Sequence, residues 1–534
     1  MTTMPLTKRV AYRCFFQGTL AALAATALGY VAYRSWNWLF WPAVAADFGF
    51  ALVPGQTQTE FITRLGADAK IVGLYVPMLI QVLAGGIIAL IAPRPRWLGH
   101  ATGVGLLIVL VSFGLKFIAP AVQFPDPAGF LAGVVVGGAG FGLAYWALDR
   151  WLRLPQSSSE FSSGAPGAAL TRRRALSALG TVAGAALMWP WIRSDLTQSR
   201  VAKAIAAEPA SPNLIEAVRE GTVAFDQIPL VSPWHTPEPQ FYYISKNLSP
   251  HTLSLAQWQH LNVGGLVDTP LQLTLDELQQ MTPVTLYNTL QCIDFDPYSP
   301  LTDDLIGNGL WTGVPLQRVL ARAGVQPEAQ DLVLEASDGY SDSLPLSLVM
   351  AHDDILLVWA LNEKPLSAKH GYPLRLIVPG QYGMKNVKHV NTLTAVAEDY
   401  KGYWQRRGWV DDAPTRPYAK IETLKFNQAL PSRESVIVAG WTFAGRRGVS
   451  KVEVSTDNGK SWFDALLEPR REPNAWMRWA HLWQPQQAGR FGVKARSYDG
   501  QGTLQVERRS GAFPAGTSGH HRVWVDVVEP EATE

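Results

Sequence analysis

At positions 287–295 the chain reads Tyr287-Asn-Thr-Leu-Gln-Cys-Ile-Asp-Phe295, a run of strand-forming residues that breaks into the turn-rich segment Asp296-Pro-Tyr-Ser-Pro300. The run holds one of only two cysteines; the other, Cys14, lies at the start of an apolar stretch. A lone thiol at a strand end is typical of three roles: inert packing, a nucleophile or a metal ligand. Residue type alone leaves all three open, because free cysteine is among the most buried residues.

Composition narrows the function classes. The length of 534 residues suggests about three or four domains. A net charge of +2 gives no indication of nucleic-acid binding. Two cysteines cannot form a disulfide framework, and the chain has no CxxC or CxxCH motif. We therefore expect neither a nucleic-acid partner nor a disulfide-stapled fold.

The N-terminal part is dominated by apolar runs of the length that crosses a bilayer, about 18 or more residues. They lie at about 14–33, 71–92, 101–119, 129–148 and 175–192. The sequence therefore predicts a four-span membrane domain over residues 1–155. A linker with a fifth span follows over residues 156–200.

Lysine and arginine placement predicts the orientation of these spans. Basic clusters at 8–13, 94–96, 150–153 and 172–174 all fall on one side of a five-span arrangement. Basic clusters mark the cytoplasmic side, so everything after about residue 195 is expected outside the cytoplasm. This predicts a bacterial inner-membrane protein with its soluble part in the periplasm and membrane lipid around its spans.

The last apolar run begins like an export signal. Thr171-Arg-Arg-Arg-Ala-Leu176 leads into a stretch of small residues over 177–188, which resembles a twin-arginine signal. A plain anchor with positive charges inside is the alternative. The twin-arginine route carries folded proteins, so it would suit a domain that acquires a cofactor before export.

The soluble part divides by its pattern into two domains. Residues 211–413 mix helical spacing at 275–281 and 316–322 with strand patterns at 355–360 and 374–378, which predicts an α+β domain. Residues 414–534 alternate apolar and polar residues and carry a hairpin-turn signal, Asp457-Asn-Gly-Lys460. Spacing and size predict an immunoglobulin-like β-sandwich.

From about residue 225 onward the chain resembles the sulfite oxidase superfamily of molybdopterin enzymes. Each matching piece is short, and the ordered set carries the resemblance. The pieces are Phe241-Tyr-Tyr-Ile-Ser-Lys-Asn247, Leu290-Gln-Cys292, Gly309-Leu-Trp-Thr-Gly-Val-Pro-Leu316, His370-Gly-Tyr-Pro-Leu-Arg-Leu-Ile-Val-Pro-Gly380, Tyr382-Gly-Met-Lys-Asn-Val-Lys388, Trp441, Val452-Glu-Val-Ser455 and Asn458-Gly-Lys-Ser-Trp462.

The resemblance implies Mo-molybdopterin as cofactor and Cys292 as the molybdenum ligand at the catalytic centre. One thiolate, a soft ligand, suits a molybdenum ion whose other ligands come from a dithiolene. Further cofactor contacts are implied at Tyr242, Tyr243, Ser337, His370, Arg375, Asn386, Val387 and Lys388. Arg375 and Lys388 are fitting partners for the pterin phosphate. The last domain is expected to support a homodimer.

The chain departs from the family where substrate is held. Sulfite oxidases typically bind their dianionic substrate with arginines, and the equivalent stretches here read Ile244-Ser-Lys-Asn247 and Ile293-Asp-Phe-Asp-Pro297. Carboxylates there would repel sulfite. An expected tyrosine is read as replaced by Leu346. Candidate substrate contacts are Lys246, Asp294, Arg406 and Arg407.

These observations predict a membrane-anchored molybdenum oxidoreductase. It would carry out a two-electron reaction with oxygen-atom transfer on a small molecule. Electrons would pass to or from a separate cytochrome or quinone-linked partner. Two alternatives stay open: a reductase of S-oxides or N-oxides fed by a membrane partner, and a non-catalytic tethered module that retains the fold.

Overall fold

The computed structural model describes residues 8–36, 68–91, 127–153, 211–247, 251–298 and 304–529, together with Pro42, Thr57 and Val104. The chain divides into two compact units. One comprises residues 1–53 and 64–202, and the other comprises residues 54–63 and 203–534. Each unit is described separately below.

The first unit contains three described helices, α1 (Lys8–Trp36), α2 (Asp68–Ile91) and α3 (Pro127–Arg153). Small residues let α1 and α2 approach closely: a Cβ placed on Gly18 would lie 2.3 Å from the carbonyl oxygen of Gly85. Gln81 donates a hydrogen bond to Thr26 Oγ1 at 3.0 Å across the same pair. Close approach through small residues, with a polar contact between helices, is typical of helices that pack in lipid.

The structure supports the predicted spans only in part. Among the described residues, one helix segment is long and apolar enough to cross a membrane, Phe130–Leu148 within α3. The apolar part of α2 covers only Val76–Leu90. Residues 14–33 lie in α1, which does not reach the same hydropathy. The runs predicted at 101–119 and 175–192, the linker and the arginines at 172–174 lie outside the described residues.

The second unit begins with a short helix whose ends are set by local chemistry. Ser211 caps the helix by accepting a hydrogen bond from Leu214 N, Pro212 opens it, and Gly221 closes it with φ of 73°. The helices of this unit are α4 (Pro212–Glu220), α5 (Leu255–Trp258), α6 (Leu275–Gln280), α7 (Leu316–Ala323) and α8 (Leu346–Ala351).

Two sheets build the α+β part of the second unit. One has the order β2-β1-β10-β5-β6, and the other has the order β3-β4-β7-β8 with β9 paired to β7. The main core packs the first sheet against α7 and α8, with Leu334 and Leu393 facing Val319 and Leu320. The strands are β1 (Leu261–Gly265), β2 (Leu271–Leu273), β3 (Val284–Gln291), β4 (Ile306–Pro315), β5 (Asp331–Ala336), β6 (Ser341–Pro345), β7 (Leu356–Leu361), β8 (Lys364–Pro365), β9 (Arg375–Ile377) and β10 (Val390–Val396).

Two further sheets form a β-sandwich, with orders β11-β13-β17-β16 and β12-β19-β18-β14-β15. Their facing side chains share one apolar cluster that includes Val438, Trp479, Val493 and Val525. The strands are β11 (Tyr418–Ile421), β12 (Gln428–Pro431), β13 (Val436–Phe443), β14 (Val449–Ser455), β15 (Phe463–Asp464), β16 (Leu466–Leu467), β17 (Met477–Trp483), β18 (Gly489–Asp499) and β19 (His521–Val528).

The sequence patterns identified these elements well. The helices predicted near 275 and 316 are α6 and α7, and the strands predicted near 355 and 374 are β7 and β9. The four strand patterns of the last domain are β13, β14, β18 and β19. The predicted turn is present, with φ of 66° at Asn458 and 97° at Gly459. The immunoglobulin-like classification stays a prediction.

Residues 214–231 form a strap across the sandwich. Leu214, Val218 and Phe225 pack on the outer face of the β13–β17 pair, against Ile437 and Ala480. This segment precedes the α+β part in sequence, yet its apolar residues are covered by the last domain. The strap therefore joins the two ends of the second unit.

A buried ion pair fixes one end of the strap. Arg478 on β17 is fully buried and donates to Glu468 at 2.7 Å and 2.9 Å. It also binds Asp226 of the strap. Because Arg478 and Glu468 are both removed from water, loss of either partner would leave a buried charge uncompensated and destabilise the fold.

We expect Glu468→Ala to lower the free energy of unfolding by about 3 kcal/mol, because it leaves Arg478 buried with an incomplete set of partners. Asp464→Ala is the control. It removes a carboxylate that is 75% exposed and pairs with the half-exposed Lys451, and such surface pairs contribute about 1 kcal/mol or less. Denaturant unfolding monitored by tryptophan fluorescence measures both. Equal stability of the two variants would contradict the expectation.

Candidate functional site

Cys292 lies immediately after β3, where the strand leaves its sheet. Gln291 is still paired with Ile306 of β4, and Cys292 N donates to Leu305 O at 2.9 Å. Phe295 N then donates to Cys292 O at 3.2 Å, which closes a tight turn. The β3–β4 ladder therefore holds the thiol at a fixed position at the edge of the α+β part.

The Cys292 thiol is buried and unpaired. Burial, and then the nearby Asp294 carboxylate, raise the pKa of Cys292 to about 12. A free thiol with so high a pKa is a poor nucleophile at neutral pH. Backbone N–H groups of Asp294 and Ile293 point at the sulfur and favour its thiolate. The high pKa therefore argues against a nucleophile and leaves two roles, inert packing or a metal ligand, since a bound cation would ionise the thiol.

Arg375 is the second unusual group. The β9 residue is buried, and its guanidinium donates to His370 O at 3.2 Å and stacks on Trp311 at 5.2 Å. Among the described residues it has no carboxylate within ion-pair distance, and its Nε has no hydrogen-bond partner. Burial lowers the pKa of Arg375 to about 10. A buried cation without a counter-charge is costly, so this position is suited to an anion that the protein does not itself supply.

Other positive groups converge on the same place. Burial, followed by the charges of Arg375, Lys388 and Lys369, lowers the pKa of His370 to about 3. Lys388 donates to Ile244 O at 2.8 Å and lies 4.5 Å above the Tyr243 ring. His370 is therefore neutral at pH 7, and the three cations Arg375, Lys388 and Lys369 provide the positive field.

Tyr242 connects the thiol with the guanidinium. Burial raises the pKa of Tyr242 well above its usual value, Cys292 raises it further, and Arg375 opposes the shift. A Cβ on Gly383 would lie 2.8 Å from Tyr242 Oη and 3.7 Å from Cys292 Cα. Gly371, with φ of 107°, packs equally closely on Lys388. Gly383 thus lets its loop pack directly on Tyr242, and Gly371 lets the start of the same segment pack on Lys388.

A polar network lies beside Lys388 and contains residues that sequence reasoning missed. Asp338 accepts hydrogen bonds from Asn247 at 2.7 Å and, through its backbone carbonyl, from Lys246 at 2.8 Å. His251 bonds Ser337 Oγ at 3.0 Å and packs edge-on against His389 at 5.0 Å. The sequence had pointed to Lys246 and Ser337 in this cluster, while His251, Asp338 and His389 were not predicted.

Two predicted cofactor residues have structural side chains. Asn386 accepts from Val378 N at 2.8 Å and donates to Tyr382 O at 3.0 Å, so its amide braces the loop. Val387 packs in the main core. For both, only the backbone can serve a ligand.

Two of the predicted substrate residues, Lys246 and Arg407, meet at the Tyr403 ring, with Lys246 Nζ 5.8 Å from its centre. Lys246 joins the Asp338 network, while Arg407 stacks on Tyr403 at 3.6 Å and donates to Tyr403 O. Arg406 contacts Tyr400 and the backbone of Lys401. Both arginines are therefore held by the 400–403 segment.

The reading of Leu346 as a replaced active-site tyrosine was wrong. Leu346 begins α8 and packs inside the main core, whereas Cys292 belongs to a different cluster with Phe295 and Trp441. The Pro345–Leu346 pattern marks the start of a core helix, so this position reports nothing about substrate.

The two aspartates after Cys292 have different surroundings. Asp294 Oδ1 is sealed from solvent without a donor among the described residues, and burial followed by the Asp296 charge raises the pKa of Asp294 to about 7. Asp296 accepts from Tyr298 N at 3.0 Å and lies 3.5 Å from the Arg509 guanidinium. Because its pKa lies at about 7, Asp294 places a full negative charge beside the thiol only at higher pH, and Asp296 is paired with Arg509.

A molybdopterin would fit this set of groups. The buried thiol matches the metal's protein ligand, and the uncompensated Arg375 with Lys388 matches a phosphate. Unsatisfied buried atoms lie around the same place, namely Gln291 Oε1, Asp294 Oδ1 and Arg375 Nε. Native proteins rarely leave such atoms without partners, and a bound ligand would supply partners to these three.

Comparisons with known proteins agree with this geometry. Residues 248–404 match the family described as oxidoreductase molybdopterin binding domain. The chain is 31% identical over 160 residues to the uncharacterized oxidoreductase YuiH of Bacillus subtilis, covering 30% of this chain and 76% of that protein. It is 30% identical over 296 residues to mitochondrial sulfite oxidase of Homo sapiens, covering 47% of this chain and 52% of that protein.

The chain is also similar to a further curated protein and to a solved structure. Mitochondrial sulfite oxidase of Rattus norvegicus is 26% identical over 349 residues, with 56% of this chain and 63% of that protein covered. The chain thus spans less than two thirds of these animal relatives. The sulfane dehydrogenase SoxCD structure from Paracoccus pantotrophus matches with a TM-score of 0.48 and 22% identity, covering 70% of this chain and 95% of that chain.

Proposed function

The chain belongs to the sulfite oxidase family of molybdopterin-dependent oxidoreductases, and we propose that it is a membrane-anchored enzyme that catalyses a two-electron reaction on a small molecule outside the cytoplasm. The observation that carries the proposal is the buried thiol of Cys292 beside a buried guanidinium, Arg375, that lacks a carboxylate partner among the described residues. Few structural roles require both groups together.

Each residue of the site has a defined task. Cys292 would bind molybdenum, Arg375 and Lys388 would hold the pterin phosphate, and His370 would stay neutral beside them. Tyr242 would fill the space between thiol and guanidinium and exclude water. When bound, the cofactor supplies two-electron redox chemistry with transfer of an oxygen atom. Tyr243 and Ser337 would complete the cofactor contacts.

The surroundings of Cys292 favour a substrate other than sulfite. Asp294 and Asp296 place carboxylates where a dianion would need cations, and Arg509 is already engaged with Asp296. This supports a second candidate function, the reduction of S-oxides or N-oxides, since these substrates carry no net charge and would not be repelled as a dianion is.

The membrane anchor and the location outside the cytoplasm rest on the sequence pattern. The apolar segment Phe130–Leu148 and the small-residue packing of α1 on α2 are consistent with an anchor in lipid. The clustered arginines and the signal-like stretch at 171–188 support the outward orientation. We further propose that electrons are exchanged with a separate cytochrome or quinone-linked partner.

A homodimer, if formed, would have to avoid one face of the sandwich. Residues 214–231 of the same chain cover the outer face of the β13–β17 pair. The outer face of the β18–β19 sheet remains for contacts with other molecules.

Metal and pterin analysis of the purified full chain tests the function directly. We expect one molybdenum per chain, and a protein without molybdenum would refute the proposal. Two assays then distinguish the candidate substrates. Oxidation of a reduced dye by sulfoxides or N-oxides would favour the reductase, while reduction of a dye by sulfite would favour the oxidase.

At about pH 8, above the pKa of about 7 that burial and the Asp296 charge give to Asp294, we expect Asp294→Asn to increase the affinity for sulfate, a sulfite-like dianion, by about tenfold. The substitution removes a carboxylate beside the site from a poorly solvated position. Inhibition of dye-linked activity by sulfate measures the effect. Asp276→Asn on the exposed first turn of α6 is the control for net charge. An unchanged inhibition constant for Asp294→Asn would show that this carboxyl does not repel anions.

A further inference from the structure

The outer face of the sheet β12-β19-β18-β14-β15 carries a row of cations. Alternation along β18 points Val493 and Ala495 into the core and leaves Arg490, Lys494 and Arg496 outside. Lys494 pairs in register with Arg522 of β19. We call Arg490, Lys494, Arg496 and Arg522 the basic face.

Aromatic rings hold the guanidinium groups of this face. Arg522 lies 5.1 Å above Trp524, and Arg490 lies 5.7 Å above the same ring. Arg496 stacks on Trp462 at 3.9 Å. A guanidinium stacked on a ring keeps its N–H edge open to a carboxylate. Phe426, which contacts Arg490, is 66% exposed.

Carboxylates on the same side of the sheet engage the four cations unequally. Glu453, in register with Arg496, binds it at 2.6 Å and also binds Lys451 at 2.7 Å, so Arg496 is fully paired. Asp526 lies 3.8 Å from Arg490, and Glu507 lies 3.6 Å from Lys494. Among the described residues, Arg522 has no ion pair within 4 Å, and its side chain bonds only Asn458, at 3.4 Å. Exposed arginines that stack on aromatic rings and lack a close carboxylate, such as Arg522, are typical of the energetic centre of a protein interface.

The basic face is continuous with the Cys292 site. Arg522 N donates to Tyr298 Oη at 2.8 Å, and Tyr298 Oη donates to His520 O at 3.0 Å. Arg509 lies 4.1 Å above the Tyr298 ring and pairs with Asp296. The chain segment that leaves Cys292 therefore ends on the edge of this face.

We propose that the basic face docks an acidic protein that carries a one-electron redox centre. This inference rests on the proposed function, because it names the kind of partner that would exchange electrons with the Cys292 site. An oxidation that takes one oxygen atom from water and releases two protons delivers two electrons, so two ferric haem proteins become ferrous in each turnover. In the reducing direction, two ferrous proteins return the same two electrons.

Charge reversal on the face tests the proposal. The full chain in detergent is chemically reduced, and its reoxidation by an acidic cytochrome c is followed by stopped-flow absorbance. We expect R490E/R522E to lower the second-order rate constant at low ionic strength at least tenfold, since electrostatic steering contributes about 10- to 1,000-fold. The wild-type rate should fall as salt rises, and a basic cytochrome c should react slowly.

R322E/K364E is the matched control, with the same change in charge on exposed residues of α7 and β8. It should keep the wild-type rate, and both variants should react normally with a small neutral dye. Equal rates for the two double variants, or a fast reaction with basic cytochrome c, would overturn the proposal. Binding to phosphatidylglycerol but not phosphatidylcholine vesicles, lost in R490E/R522E while the cytochrome rate is unchanged, would assign the face to the membrane instead.

Failure of the proposed function is distinguishable from failure of the docking site. If the protein contains no molybdenum, affinity for the acidic cytochrome is measured by titration calorimetry on the metal-free chain. Weakened binding in R490E/R522E alone supports the docking site, and equal binding in all three proteins refutes it.

Discussion

Cys292→Ser is expected to abolish activity, with at least a thousand-fold loss of turnover in any assay that the wild-type chain supports. Serine offers a hard hydroxyl in place of a soft thiolate, and burial would oppose its ionisation even more than that of the thiol. The sulfur-to-molybdenum absorption bands and the molybdenum electron paramagnetic resonance signal should change or vanish as well. These spectra report on the metal's ligand independently of turnover.

Cys14→Ser is the matched control, since it removes the chain's other thiol. It should leave activity, metal content and spectra unchanged. A Cys292→Ser protein that folds, binds molybdenum with an unaltered spectrum and keeps its activity would return Cys292 to the role of packing residue.

Arg375→Met is expected to separate cofactor binding from folding. Methionine has a similar length and stacks well on Trp311, while it removes a buried charge that has no carboxylate partner among the described residues. The free energy of unfolding of the metal-free variant should therefore be no more than about 1 kcal/mol below that of the metal-free wild type. It should retain less than a tenth of the pterin and molybdenum after gel filtration.

Arg478→Met provides the comparison, because Arg478 is equally buried but paired with Glu468 and Asp226. We expect that variant to lose about 3 kcal/mol of stability. If Arg375→Met were destabilised as strongly, the guanidinium would be a structural element rather than an anion-binding group. Denaturant unfolding of both proteins, each prepared without metal, decides between these outcomes.

Sequence reasoning identified helices and strands where the pattern was local, while the roles of the site residues stay predictions. Cys292, His370 and Arg375 stand in short motifs, and β3 and β9 place them by simple strand geometry. Which other residues lie near these three could not be predicted, because those residues come from segments distant in sequence. His251 and Asp338 come together because three separate stretches fold onto Lys388, and no local pattern encodes that meeting.

Two other features show why pattern alone was insufficient. Leu346 follows a strand and a proline, and only the packing of α8 shows that it is a core residue. The strap was also not predicted, because α4 has nine residues and its apolar positions match a surface more than 200 residues away in sequence. Partners so distant in sequence are set by tertiary packing, which periodicity does not reveal.

The strap has a consequence for the order in which the second unit can fold. The contact between Asp226 and Arg478 spans 252 residues, and that between Trp234 and Trp476 spans 242. The first apolar residues to be synthesised after the helical unit therefore stay uncovered until nearly the entire chain exists. A polypeptide that stops before β17 would expose Leu214, Val218 and Phe225 and be prone to aggregate. The Cys292 domain and the sandwich should accordingly fold and be produced only as one piece.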